Sequence, residues 1–448
     1  MPAARGRTLA NGQPKGGGHR IMSRMNTQRL LHTALPFLLL ALAFAALASL
    51  CVRGMPGQLE GQGLAAASRL LQGASPLNPQ WGSLQASAVM LQPALALSIA
   101  LLGNTQGAVA CMRLVFLTLA FLEALVSYKL LSKRLGSTGS LLLSLGALLC
   151  SGCGLEMAAP YGLCVIFGYA AFLCALASQD LNARDDGSAG GYARVLAPLG
   201  AGFFAVLAVV SNTVAATLML VLWVLALSFE RSRQTAVQML WNAAGAVLGA
   251  AVFLLAATAG SDPMANLQAV LAGLQAERPT FKGDIFGLLL VAAALPPAAL
   301  YAGGLLAARR PMPARVMGAC CAAMLVLGLA CTAGSMAQGS GGRATLQEGP
   351  CTGLAVSTAQ AAAYEDTLGL LAKASEDGLY VLGSDQWAVL AVPGGYAPLG
   401  QAEWVLASGS DAAQGLGTDY SESYLPFATA GSATLYKHTS KASYITQG

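Results

Sequence analysis

Seven side chains in this otherwise apolar chain have the types and setting to do chemistry: Glu60, Glu156, Arg69, Arg113, Asn212, Arg278 and Lys282. A carboxylate at a lipid–water interface can take the proton of an acceptor hydroxyl. Cations, or a divalent metal beside the acid, can hold a departing phosphate. Each member also has a plainer explanation. Glu60 opens the run GQGLAAASRLLQG, where the positive end of a helix dipole favours an acid, so it can be solvated and idle. Glu156 can be an ordinary turn carboxylate. Arg113 begins an apolar segment and can snorkel to the headgroups instead of gripping phosphate. The combination says more than any one residue, because a single membrane face would gather all seven.

Other chemistries find little support. The histidines, His19, His32 and His438, lie far from any motif, and no HExxH, P-loop or GxSxG occurs. Of ten cysteines, most sit inside apolar runs and behave as small hydrophobes. Cys150 and Cys153 form a C-x-x-C, but no second pair and no histidine accompany them.

The elements that must position the seven are membrane helices. Hydrophobic residues make up 55% of the 448, charged residues only 10%, and mean hydropathy is +0.59. Soluble domains carry about 25% charged residues, so the composition demands a polytopic membrane protein. Net charge is +5, yet it is unevenly spread: 21 Lys/Arg face 10 Asp/Glu before residue 337, and 4 face 10 after it. The basic surplus reads as topology and not as affinity for nucleic acid.

The spacing predicts nine transmembrane helices, over 31–52, 109–131, 138–154, 160–177, 195–211, 213–229, 236–259, 285–307 and 316–336. Residues 1–30 form a disordered basic N-terminus. Basic connectors at 129–134, 184–194, 231–233 and 309–315 belong in the cytoplasm, which places the N-terminus there as well. The run 84–102 must then stay at the outer face as an interfacial or re-entrant helix. The outer loops are 53–107 and 260–284, and the latter holds the acceptor-side pair Arg278 and Lys282. From 337 to 448 the pattern changes to a small extracytoplasmic α/β appendage. A helix is expected over 357–375, with Leu368, Leu371 and Ala372 on one face. Strands are expected at LYVLG, EWVLA and ATLYKH, and a strand or short helix at DQWAVLAV.

The order of these features resembles the GT-C glycosyltransferases, multispanning enzymes that include protein O-mannosyltransferases and bacterial polyprenyl-phosphate-sugar transferases. The segment GQLEGQGLAAASRLLQGASP is similar to the family's acidic outer-loop motif in its Glu-Gly, Ala, Leu, Gly and Pro positions. The segments RLVFLTLAFLEALVSYKLLSKRLGS, GLEMAAPYGLCVIFGYAAFLCALA, APLGAGFFAVLAVVSNTVAATLML and TAGSDPMANLQAVL resemble later parts in the same order, so the likeness spans about residues 30–310. Leu59 stands where the family has a second acid, Leu64 where it has Tyr, and Asn212 where it has Lys.

The resemblance implies a membrane glycosyltransferase at the outer face. Its sugar would come from a polyprenyl-phosphate donor and pass to an envelope glycan, lipid or protein. Glu60 and Glu156 would be catalytic, Arg113, Asn212 and Arg69 would bind donor phosphate, and Arg278 and Lys282 would lie on the acceptor side. A divalent metal is the one cofactor it allows. Membrane lipid would be a partner, nucleic acid would not. Because of Leu59 and Asn212, a catalytically degenerate scaffold that binds lipid-linked sugar or an assembly partner is the rival expectation.

Overall fold

A computed structural model describes residues 18–73, 85–151, 160–182, 191–211, 233–258, scattered positions between 319 and 333, and most of 343–439. Among the described residues before 259, long apolar runs with few breakers give seven helices: α1 (Gly18–Cys51), α2 (Gln58–Leu71), α3 (Gln85–Leu102), α4 (Ala108–Ser151), α5 (Pro160–Asn182), α6 (Gly191–Ser211) and α7 (Arg233–Thr258). Among the described residues, four stretches are long and apolar enough to cross a membrane, Ala34–Cys51, Ala108–Lys133, Tyr192–Ser211 and Val237–Ala257. Shorter apolar helices run over Ser87–Leu102, Leu135–Leu149 and Gly162–Ser178. The expected spans 213–229 and 285–307 lie outside the described residues, as does most of 316–336.

The two expected spans on either side of the basic turn after Lys129 are halves of α4. Gly136 divides them with φ 71° and ψ 173°, a left-handed backbone that glycine adopts without a Cβ penalty. The hairpin is tied by the Tyr128 and Ser137 hydroxyls, 3.1 Å apart, and by Ser144 Oγ donating to Ser127 Oγ at 3.1 Å. From α5, Tyr169 adds a hydroxyl donated to Ser127 Oγ at 2.7 Å. Where water is scarce, such bonds hold helices together in place of the hydrophobic effect.

Close packing does the same between α6 and α7. A Cβ on Gly202 would strike the backbone of Asn242, and one on Gly245 would strike Leu199. Gly249 faces Phe203 in the same way, with its carbonyl at 2.9 Å. Three glycines thus let two backbones meet, as small residues do at membrane helix interfaces.

The last quarter of the chain, from Arg343, is α/β among the described residues. A short antiparallel pair, β1 (Arg343–Thr345) and β2 (Ala355–Ser357), leads into α8 (Thr358–Leu371). Ser357 starts that helix with a full capping box, its hydroxyl taking the Gln360 N–H while Gln360 reaches back to the Ser357 N–H. Next come β3 (Leu379–Leu382), a 3-10 turn over Gln386–Ala391, β4 (Trp404–Ser408), β5 (Tyr424–Ala430) and β6 (Ala433–His438). The sheet order is β3-β4-β6-β5, with β3 parallel to β4 and the other pairs antiparallel. The expected face of α8 is partly displaced. Leu371 is buried, but the core-facing set is Ala361, Tyr364, Thr367, Leu370 and Leu371.

This α/β part shares its core with the membrane helices. Leu346, Cys351, Leu354, Trp387 and Leu406 belong to one continuous buried cluster with Leu47, Leu64, Leu91, Met112 and Leu117. Trp387 and its 3-10 turn lie against α2, and α2 packs along α3.

Candidate functional site

The chain leaves α1 at Cys51, turns through Arg53–Met55 and enters α2 at Gln58. Glu60 falls in the first turn of α2, where unpaired backbone N–H groups and the helix dipole favour a carboxylate. The end of α1 is the reverse case, leaving carbonyls without helical partners. Arg113, in the second turn of α4, serves both ends at once. Its Nε donates to Glu60 Oε1 at 2.9 Å and its Nη2 to Oε2 at 2.6 Å, a two-pronged pairing. Its Nη1 donates to the carbonyls of Cys51, Arg53 and Gly54 at 3.1, 3.2 and 3.1 Å, and Nη2 also reaches Met55 O at 3.3 Å. One guanidinium therefore caps α1 and neutralises the acid that opens α2.

The pair is sealed. Glu60 is 0% exposed and Arg113 1%. The first local expectation, a solvated helix-start acid, is overturned, because α4 brings an arginine against it and neither side chain is exposed. Arg113 does not snorkel outward either. Every nitrogen it carries is spent on protein acceptors, so gripping a phosphate requires Glu60 or the Arg53–Met55 corner to let go.

Arg69 lies in the last turn of α2 and is also buried. Nine residues at 1.5 Å rise place it roughly 13 Å along the helix from Glu60. Glu156, Asn212, Arg278 and Lys282 lie outside the described residues. Of the seven expected site residues, the structure brings Glu60 and Arg113 into contact. Among the described residues no three His, Cys, Asp or Glu side chains gather as a metal set.

The α/β part is hydrogen-bonded to the backbone on both sides of the pair. Ala355 pairs with Arg53 across an isolated parallel bridge, donating its N–H to Val52 O at 2.7 Å and accepting from Gly54 N at 2.9 Å. Gly349 and Pro350 offer carbonyls to the N–H groups of Gly107 and Val109, at 3.2 and 3.3 Å. These two N–H groups flank the start of α4 and would otherwise lack helical partners. Cys351 is fully buried nearby, and burial pushes its thiol well up, so it stays protonated. Burial pushes the Tyr364 hydroxyl up too, while that group accepts from Cys351 N at 3.2 Å and donates to Glu348 O at 2.9 Å.

Two polar features went unnoticed in the sequence. One is the 343–357 segment over the pair, whose short strands give no periodic signal. The other is Glu123, an acid inside the apolar stretch of α4, one helical turn before Ser127. Its signal, a lone Glu in FLEALVSY, was plainly available, since charged residues within spans are rare and usually functional.

Fold and site together define a helical membrane protein with a buried acid–arginine pair where the end of α1 meets the starts of α2 and α4, and an α/β part bonded beside it. No family model and no curated protein sequence matches the chain. Its structure is similar to the crystal structure of ArnT from Cupriavidus metallidurans in the apo state, at 12% identity and a TM-score of 0.44, covering 92% of this chain and 98% of that one.

Proposed function

We propose that the chain is a membrane glycosyltransferase that moves a sugar from a polyprenyl-phosphate donor to an envelope glycan, lipid or protein at the outer face. In this reading nine spans form the membrane part, α3 lies along the outer interface, and 337–448 is extracytoplasmic. The observation that carries the reading is the Glu60–Arg113 pair. The residue that the sequence pattern marks as catalytic acid is buried, held at both oxygens and fixed to the ends of two membrane helices. A base needs such orientation, and an arginine that holds it supplies it. Glu156 would be the second acid. Asn212 and Arg69 would meet donor phosphate, joined by Arg113 when the corner opens, and Arg278 with Lys282 would lie on the acceptor side. A divalent metal beside the acids would supply Lewis-acid help to the leaving phosphate.

The same burial supports a second reading. An acid with no exposure and both oxygens occupied suits a degenerate scaffold that binds lipid-linked sugar without turning it over. Transfer from radiolabelled polyprenyl-phosphate sugar to envelope material, in membranes with and without the chain, separates the two. Donor binding with no transfer selects the scaffold; chain-dependent transfer that persists in Glu60→Gln removes Glu60 from the mechanism.

A further inference from the structure

Besides the contact of its 3-10 turn with α2, the C-terminal α/β part is hydrogen-bonded to the bundle at two places that hold the Glu60–Arg113 pair. Ala355 fixes the Arg53–Met55 corner, whose carbonyls grip Arg113. Gly349 and Pro350 fix the start of α4, six and four residues before Arg113 on that helix. Between these attachments Cys351 and Leu354 fill the buried space, both with no exposure. Gly349 turns with φ 74°, and a Cβ there would lie 2.5 Å from the Tyr364 hydroxyl. That hydroxyl bridges Cys351 N and Glu348 O, and its ring packs on Trp387 with centroids 4.5 Å apart.

We propose that residues 348–355 form a strap that closes over the Glu60–Arg113 pair, with Tyr364 as the residue that positions it. Among the described residues, Gly349, Pro350 and Ala355 supply backbone hydrogen bonds from the α/β part to the corner and to the start of α4. Releasing the strap frees the corner carbonyls and lets water reach the pair. The inference stands on these contacts alone and holds for either functional reading.

The test uses thiol accessibility, which involves no sugar transfer, so its failure is separate from failure of the proposed function. Cys51, at the end of α1, and Cys351, in the strap, are both buried beside the pair. Cys174 on α5, against Gly200 of α6, is the internal reference. Full-length protein in native membranes is treated with N-ethylmaleimide, and adducts are mapped by mass spectrometry. Tyr364→Phe keeps the ring and removes both hydroxyl bonds, so labelling of Cys351 and Cys51 rises together by about tenfold while Cys174 stays unchanged. Gly349→Ala, which strains the turn, gives the same pattern by another route.

Labelling of Cys351 without Cys51 would show that the strap opens without uncovering the pair, and would overturn the proposal. So would unchanged labelling in both variants, or a rise at Cys174 equal to that at Cys51, which would mean general loosening.

Discussion

Glu60 and Arg113 stand 53 residues apart and meet through two parallel hydrogen bonds of 2.9 and 2.6 Å. Breaking a buried pair by removing one partner costs about 3–5 kcal/mol, whereas replacing both by apolar groups of similar volume is often near neutral. Glu60→Gln and Arg113→Met should each lower the thermal midpoint of detergent-solubilised protein sharply. Glu60→Leu combined with Arg113→Met should recover most of that loss. If Glu60 is the catalytic base, the recovered double variant is inactive. If the pair is purely structural, the double variant keeps whatever function the chain has. Equal melting of both single variants and wild type would show that the pair contributes nothing to the fold.

The α6–α7 seam depends on glycine for closeness, and α8 does not. Gly202→Ala and Gly245→Ala should each cost about 1–3 kcal/mol, because the methyl meets backbone that cannot step aside. Gly369→Ala, in the last turn of α8 with nothing within 4 Å, should instead stabilise by about 0.5–1 kcal/mol. Thermal unfolding of the three variants gives opposite signs if the two settings differ as described.

Alkaline pH should loosen the cover. Cys351 and Tyr364 keep their protons when closed over, because burial raises both above their ordinary values of 9.0 and 10.0. An opened strap returns them toward those values and so binds fewer protons above about pH 9. Closure is therefore fully favoured below pH 9 and weakens as pH rises, by at most about 1.4 kcal/mol per unit for each group. Arg113, Glu60 and Asp385 act on Cys351 throughout and supply the fixed background. Fluorescence of Trp387, in contact with Tyr364, should report a transition above pH 9 that becomes shallower in Cys351→Ala.

The placement of α3 is tested by topology. Ala88 and Val89 near its start pack with Leu70, Phe253 and Ala257, and its last turn passes through Gly103 and Gly107 into α4. A periplasmic-type reporter fused near Asn104 should be active, and a cytoplasmic one silent. The opposite result inverts the parity of every later span.

What was legible in the sequence follows physical lines. Long apolar runs announced α1, α4, α5, α6 and α7, because nothing but membrane or core accommodates them. The basic connector at 129–134 between two apolar runs announced the turn within α4. In the α/β part, β3, β4 and β6 fall on the expected strands LYVLG, EWVLA and ATLYKH, and α8 falls within the helix expected over 357–375 from its helical spacing. The strand β5 was missed because it carries Pro426 and exposes Leu425 and Phe427, so it lacks the usual alternation. The meeting of Glu60 with Arg113 was not legible, since it depends on α4 folding back against the end of α1. Nor was the strap, whose backbone bonds leave no trace in residue type.

Ala355 comes 242 residues after Arg113, and it is the residue that completes the corner. At about 5–20 residues per second, synthesis of the intervening chain takes on the order of ten to fifty seconds. During that time a carboxylate and a guanidinium stand at the ends of inserted helices with their shelter not yet made. The pair is thus among the last parts of the molecule to reach its final surroundings, and a chain released before residue 355 carries both charges uncovered.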